Sequence, residues 1–98
     1  MNIQAMMKQA QKLQSDMMKI KDEIDNMEFL GKNGIVEVKI NGKKEILEVS
    51  IQNDDDFSKD DLEMLQDMIV IATNQAMKEV DKLTEEKMGR FSSIPGLF

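Results

Sequence analysis

Lys8, Lys12 and Lys19, with Gln4 and Gln11 beside them, are the residues of this chain best placed to act on another molecule. On a helix turning about 100° per residue the three lysines fall within about 40° of one another. Ammonium groups in a row neutralise phosphate oxygens, and glutamine amides hydrogen-bond phosphates and sugars, neither of them reading base sequence. The same stripe is also what the solvated face of a coiled coil looks like. A second cationic group, Lys78, Lys82, Lys87 and Arg90, is interleaved with Glu79, Asp81, Glu85 and Glu86. Pairs such as Lys82 with Glu86 read there as i,i+4 support of a helix surface.

Other chemistry is poorly supplied. The sequence has no Cys, His, Trp or Tyr. Their absence removes disulfides, thiol nucleophiles, imidazole bases and the usual zinc ligand sets. The acidic run Asp54-Asp55-Asp56 is the one metal candidate, but a calcium loop begun at Asp54 needs Gly at its sixth position and Glu at its twelfth. Those positions are Lys59 and Leu65, so a solvated loop ahead of a helix explains the acids better. No glycine-rich phosphate loop or nucleophile–base pair is present. A non-enzymatic protein without catalytic residues, metal, cofactor or small-molecule substrate is expected.

The 98 residues carry a net charge of −6, unevenly spread. Residues 1–21 hold Lys8, Lys12, Lys19 and Lys21 against Asp16, a net +3. Residues 22–28 sum to −4 and residues 53–67 to −6. The acidic total argues against non-specific nucleic-acid binding. The local map weakens that argument, because binding depends on the charge of the contact face. No secretory signal and no run of membrane-spanning length are visible, so a cytoplasmic protein that leaves membranes alone is the default.

The stripe needs a helix to hold it. Ile3, Met6, Ala10, Leu13, Met17, Ile20, Ile24 and Met27 repeat at alternating spacings of three and four, without an intervening Gly or Pro. That spacing predicts a first helix from about Asn2 to about Glu28, with a narrow apolar seam that needs a partner helix. Phe29 and Leu30 read as a short strand, and Gly31-Lys32-Asn33-Gly34 as a turn-like cluster. Val36, Val38 and Ile40 alternate with polar residues, as do Leu47, Val49 and Ile51, which predicts two strands with one buried face. Asn41-Gly42 between them reads as a tight two-residue turn with positive φ at both positions, placing all six apolar residues on one face.

A last helix is signalled by Ser58 as cap, Asp61 three residues on, and Phe57 as a staple onto Leu62. Its apolar set, Leu62, Leu65, Ile69, Ala72, Ala76, Val80 and Leu83, is broadened by Met68, Val70 and Ile71, so burial on more than one side is expected. Gly89 is placed just past its end. The fold expected is α+β: a long N-terminal helix, an antiparallel hairpin or small sheet, and a long C-terminal helix. Residues 1–89 form one domain and residues 90–98 a flexible tail. Leu62, Leu65, Ile69, Ala72, Ala76, Val38 and Val49 are the expected core and dimer contacts, since a chain this small cannot cover so much apolar surface alone. The ten methionines read as core filling or as an adaptable binding surface.

These pieces together resemble the YbaB/EbfC family of nucleoid-associated proteins. The matching stretches are Met7-Lys8-Gln9-Ala10-Gln11-Lys12-Leu13-Gln14, Asn41-Gly42-Lys43-Lys44-Glu45-Ile46, Asp61-Leu62-Glu63-Met64-Leu65-Gln66-Asp67-Met68-Ile69, Glu86-Lys87-Met88-Gly89 and Pro95-Gly96-Leu97-Phe98. The resemblance implies a tweezer-like homodimer that binds double-stranded DNA in the bacterial nucleoid and alters DNA conformation and gene expression. The family's glycine-rich run before the first long strand is reduced here to Gly31-Lys32-Asn33-Gly34. Lys8, Lys12 and Lys19, then Lys78, Lys82, Lys87 and Arg90, are the expected DNA contacts, mainly to the backbone. The alternative is a coiled-coil-like interaction module or holdase that grips client proteins with methionine-lined helices.

Overall fold

The structure is a computed structural model describing residues 2–89. In order it contains α1 (Ile3–Asp25), β1 (Glu28–Asn33), β2 (Val36–Asn41), β3 (Ile46–Ile51), a single 3-10 turn (Lys59–Asp61) and α2 (Leu62–Met88). This is the expected α+β arrangement. The three strands form one antiparallel sheet in the order β1-β2-β3. The tail, residues 90–98, and with it Arg90, lie outside the described residues.

α1 begins where Asn2 caps it, its side-chain oxygen accepting from the Ala5 N–H at 3.3 Å. It ends at Asp25, three residues short of the expected limit, because Glu28 already belongs to β1. β1 is likewise longer than Phe29 and Leu30 alone suggest, and it absorbs Gly31, Lys32 and Asn33 from the turn-like cluster. The turn itself is Gly34-Ile35, closing Asn33 onto Val36. Gly34 has φ +56° and no positive φ occurs at Ile35. That is the pattern of a type II′ hairpin.

The second hairpin departs from its expected form. Gly42 does not have positive φ; Lys44 does, at 65°. Lys44 N–H donates to the Asn41 carbonyl at 3.0 Å and Asn41 N–H to the Glu45 carbonyl at 3.1 Å. The loop is therefore three residues long, a turn followed by a left-handed residue. The Asn41 side chain holds it, its Oδ1 accepting from the N–H groups of Lys43 and Glu45 at 2.9 and 3.0 Å. A register shift between Lys39 and Ile40 then puts Ile46, not Leu47, opposite Ile40. Val38 faces Val49 and Val36 faces Ile51, as the alternation predicts. Leu47 is the extra residue of the bulge.

α2 lies across β1 and β2 rather than over the whole sheet. Val36, Val38, Ile40, Ala72 and Ala76 are fully buried at this contact. At about 25 cal/mol per Å² each β-branched side chain so removed from water contributes roughly 1.5–3 kcal/mol. Close approach depends on small residues: a β-carbon at Gly31 would meet the Ala72 carbonyl of α2. The start of α2 follows the sequence reading, with a complete Ser58–Asp61 capping box, although the first turn is 3-10 and the α-helix proper begins at Leu62. Gly89 is the C-cap, but with φ −56° it keeps the right-handed conformation. A C′ glycine would be left-handed.

α1 and α2 run antiparallel. Gly42 abuts the Ile24 backbone and Lys44 pairs with Asp81 at 2.7 Å, so Ile24 and Asp81 meet at the second hairpin loop. Met17 and Met88, each seven residues further from that loop, line the same groove. α2 thus stops beside the middle of α1. The N-terminal half of α1 projects beyond it, and the molecule measures 71 × 19 × 15 Å.

Candidate nucleic-acid interface

The apolar seam of α1 decides which way its lysines point. Leu13, Met17, Ile20 and Ile24 pack onto the core formed with α2 and the sheet. At about 100° per residue, Lys8 lies some 120–180° around the helix from these four. Lys8, Lys12 and Lys19 are accordingly all exposed, on the side of α1 turned away from α2. Among the described residues none of the three makes an ion pair, whereas Lys21 pairs with Asp25 at 3.1 Å, Lys39 with Glu28 and Glu48 at 3.8 and 3.7 Å, and Lys44 with Asp81. An unpaired ammonium keeps its full charge for an incoming anion, so the stripe is the part of α1 best prepared for phosphate. From Lys8 to Lys19 it extends roughly 16 Å along the helix. Gln4 and Gln11 flank it and are exposed as well.

The second cationic group is divided. Lys78, Lys82 and Lys87 are exposed on α2, but Lys82 and Glu86 form no ion pair. Lys87 lies about 180° around α2 from Lys78, so they do not share a face. Lys78 instead lines a shallow recess with Lys32, Asn33, Asn74 and Gln75, where Gln75 Oε1 accepts from the Lys32 N–H at 3.0 Å. Lys32 is not among the candidates that the sequence offers. Its signal is hidden because residues 31–34 read as a turn, while in the fold Lys32 is an outward strand residue beside α2.

The acids stand apart from the first stripe. Asp54, Asp55 and Asp56 are exposed between β3 and α2, at the end of α2 opposite to the one that α1 outruns. Asp54 Oδ1 accepts from the Asp56 N–H at 3.0 Å, so this carboxylate is occupied in shaping its own loop. A charge separation of this kind lets a chain with negative net charge present a positive end.

Of the expected core and dimer residues, Val38, Ala72 and Ala76 are fully buried and Leu65 and Ile69 pack against the core. Leu62 and Val49 remain 50% and 43% exposed, which assigns them to a surface rather than to the core. Ile46, Leu47 and Ile51 of β3, and Met64, Val70 and Ile71 of α2, are exposed with them. Among the described residues no helix is long and apolar enough to cross a membrane.

The comparison with known proteins agrees with this geometry. Residues 1–94 match the YbaB/EbfC DNA-binding family. A nucleoid-associated protein of Clostridium novyi is 46% identical, the match covering 100% of this chain and 90% of the relative. One from Ligilactobacillus salivarius is 44% identical over 99% of this chain and 95% of its own length. The crystal structure of an uncharacterized protein from Helicobacter pylori superimposes with a TM-score of 0.75 at 18% identity, covering 93% of this chain and 97% of that one. A helix bearing an unpaired lysine row, a three-stranded sheet and a second long helix are thus set in a chain that belongs to the YbaB/EbfC DNA-binding family.

Proposed function

We propose that this protein is a non-enzymatic, nucleoid-associated protein that binds double-stranded DNA as a homodimer, chiefly through the phosphate backbone, and alters DNA conformation and gene expression. The observation that carries the reading is the lysine row Lys8, Lys12 and Lys19, exposed and free of ion pairs on the outward face of α1. Such contacts position a protein on DNA without specifying sequence, which leaves shape and deformability as the source of preference. Lys78, Lys82 and Lys87, with Arg90, form the secondary contact set. Nothing in the mechanism calls for a cofactor. The names of the Clostridium and Ligilactobacillus relatives support the nucleoid, and with it the cytoplasm, as the place of action.

The homodimer rests on apolar surface. Ile46, Val49 and Ile51 on β3 continue the buried face of β2 but lie beyond the reach of α2. Leu62, Met64, Val70 and Ile71 are exposed as well. Together they leave one protomer with more contiguous apolar surface than a stable monomer carries. A second copy covers it and doubles the lysine row.

Fluorescence anisotropy with duplex DNA at two salt concentrations tests the function. Backbone binding loses affinity steeply as salt rises. Met6, Met7 and Met18 are exposed and favour the other reading, a module gripping apolar clients. Binding that is indifferent or strengthened at high salt, with no DNA binding at low salt, supports that one instead.

A further inference from the structure

The α1 seam is cut in two by the length of α2. Leu13, Met17, Ile20 and Ile24 are packed, while Ile3, Met6 and Ala10 are exposed, Ile3 at 69%. The cover is lost where α2 ends, at Met88 beside Met17. An uninterrupted heptad over residues 3–24 has no reason to stop being apolar at that point, and it does not. The sequence continues for nine residues past Gly89, Arg-Phe-Ser-Ser-Ile-Pro-Gly-Leu-Phe, four of them apolar.

We propose that residues 90–98 lie back along the uncovered half of the α1 seam of their own chain, with Phe91 and Ile94 near Leu13 and Ala10 and Leu97 and Phe98 over Met6 and Ile3. Three facts select this occupant. α2 is antiparallel to α1, so the chain leaves Met88 heading along α1 towards its N-terminus. The distance is right: Met17 to Ile3 is about 21 Å of helix, and nine residues reach as much as roughly 30 Å when extended. Attachment at Gly89 also gives the segment an effective concentration in the millimolar range, which a separate molecule must match. Pro95 rules out simple continuation of α2, so the segment crosses the seam as an extended strap. The lysine row lies on the opposite side of α1 and stays open. The strap requires neither DNA binding nor the dimer.

The chain has no cysteine, so Ser93→Cys carries one nitroxide at one site. Methionine methyl groups labelled with ¹³C then report its neighbourhood. Met6 and Met7 are expected to lose several-fold in signal intensity against the reduced nitroxide, while Met64, at the start of α2, keeps its intensity. The loss must persist when labelled chains are diluted into a large excess of unlabelled ones, which marks it as intrachain. Amide hydrogen exchange supplies an independent readout. Phe91→Ser/Phe98→Ser should speed exchange at residues 3–10 on the order of tenfold and leave the β2 amides unchanged. Equal intensities at Met6 and Met64, a loss that vanishes on dilution, or unaltered exchange at residues 3–10 would each overturn the proposal. A vanishing loss would assign the seam to a second copy. Sedimentation of the unlabelled chain reads the dimer separately.

Discussion

Gly42 sits directly on the carbonyl of Ile24, so near that a β-carbon at residue 42 would overlap the oxygen. This contact joins the second hairpin to the last turn of α1. It accounts for the glycine without any demand for positive φ, which the loop places on Lys44 instead.

Replacing that glycine therefore tests packing rather than turn chemistry. Gly42→Ala is expected to lower stability by about 1–3 kcal/mol, because backbone must move to admit the methyl group. Lys44→Gly should be neutral or stabilising by up to about 1 kcal/mol, since glycine adopts the left-handed region without a side-chain clash. Thermal melts of the two variants separate the explanations. Gly42→Ala melting with the parent would show that the hairpin does not bear on α1.

The apolar surface makes a prediction about assembly. At micromolar concentration the protein should sediment as a dimer, and Val49→Glu, 43% exposed in one protomer, should dissociate it while leaving helical circular dichroism. Ile69→Asp strikes the packed face of α2. It should leave unfolded or aggregated chain, because an unpaired carboxylate there costs several kcal/mol. A folded wild-type monomer at that concentration would end the dimer reading.

For DNA, Lys8→Gln/Lys12→Gln/Lys19→Gln is the decisive variant. The three positions face away from the core, and glutamine is a good helix former, so circular dichroism should match the parent. Affinity should fall, and the slope of log K against log salt should flatten by about 0.9 for each phosphate that is no longer neutralised. An unchanged slope in a folded triple variant would move the contact to Lys78, Lys82, Lys87 and Arg90.

The capping box offers a smaller, local test. Ser58→Ala removes the acceptor of the Asp60 N–H, held at 3.2 Å. Removing such a cap should cost about 1 kcal/mol. In a domain of this size that is a drop of roughly 4–8 °C in Tm. Chemical denaturation with an unaltered midpoint would count against the box.

The parts that local physics decides are readable from the chain. Ser58 and Asp61 cap because they are three residues apart, and Val36, Val38 and Ile40 are buried because they alternate. The parts decided by distant partners are not. Asn41-Gly42 reads locally as a two-residue turn, but the reason for Gly42 is Ile24, eighteen positions earlier in the chain. The bulge that displaces Leu47 follows from that longer loop. Among the lysines, the stripe on α1 is visible from helical periodicity. The company of Lys32 and Lys78 is not, because it needs a strand and a helix to be brought side by side.

The projection of α1 past the end of α2 turns Gly42 and Ile24 into a fulcrum. Lys8 stands sixteen residues from Ile24, a lever arm of about 24 Å. A swing of only about 10° at the joint carries its ammonium about 4 Å, more than the roughly 3.4 Å rise between successive phosphates of one strand. For a protein that holds DNA by this helix, the stiffness of one glycine contact governs whether the lysines find the phosphates in register. Substitutions at the fulcrum that spare every cation should then still change how DNA is gripped.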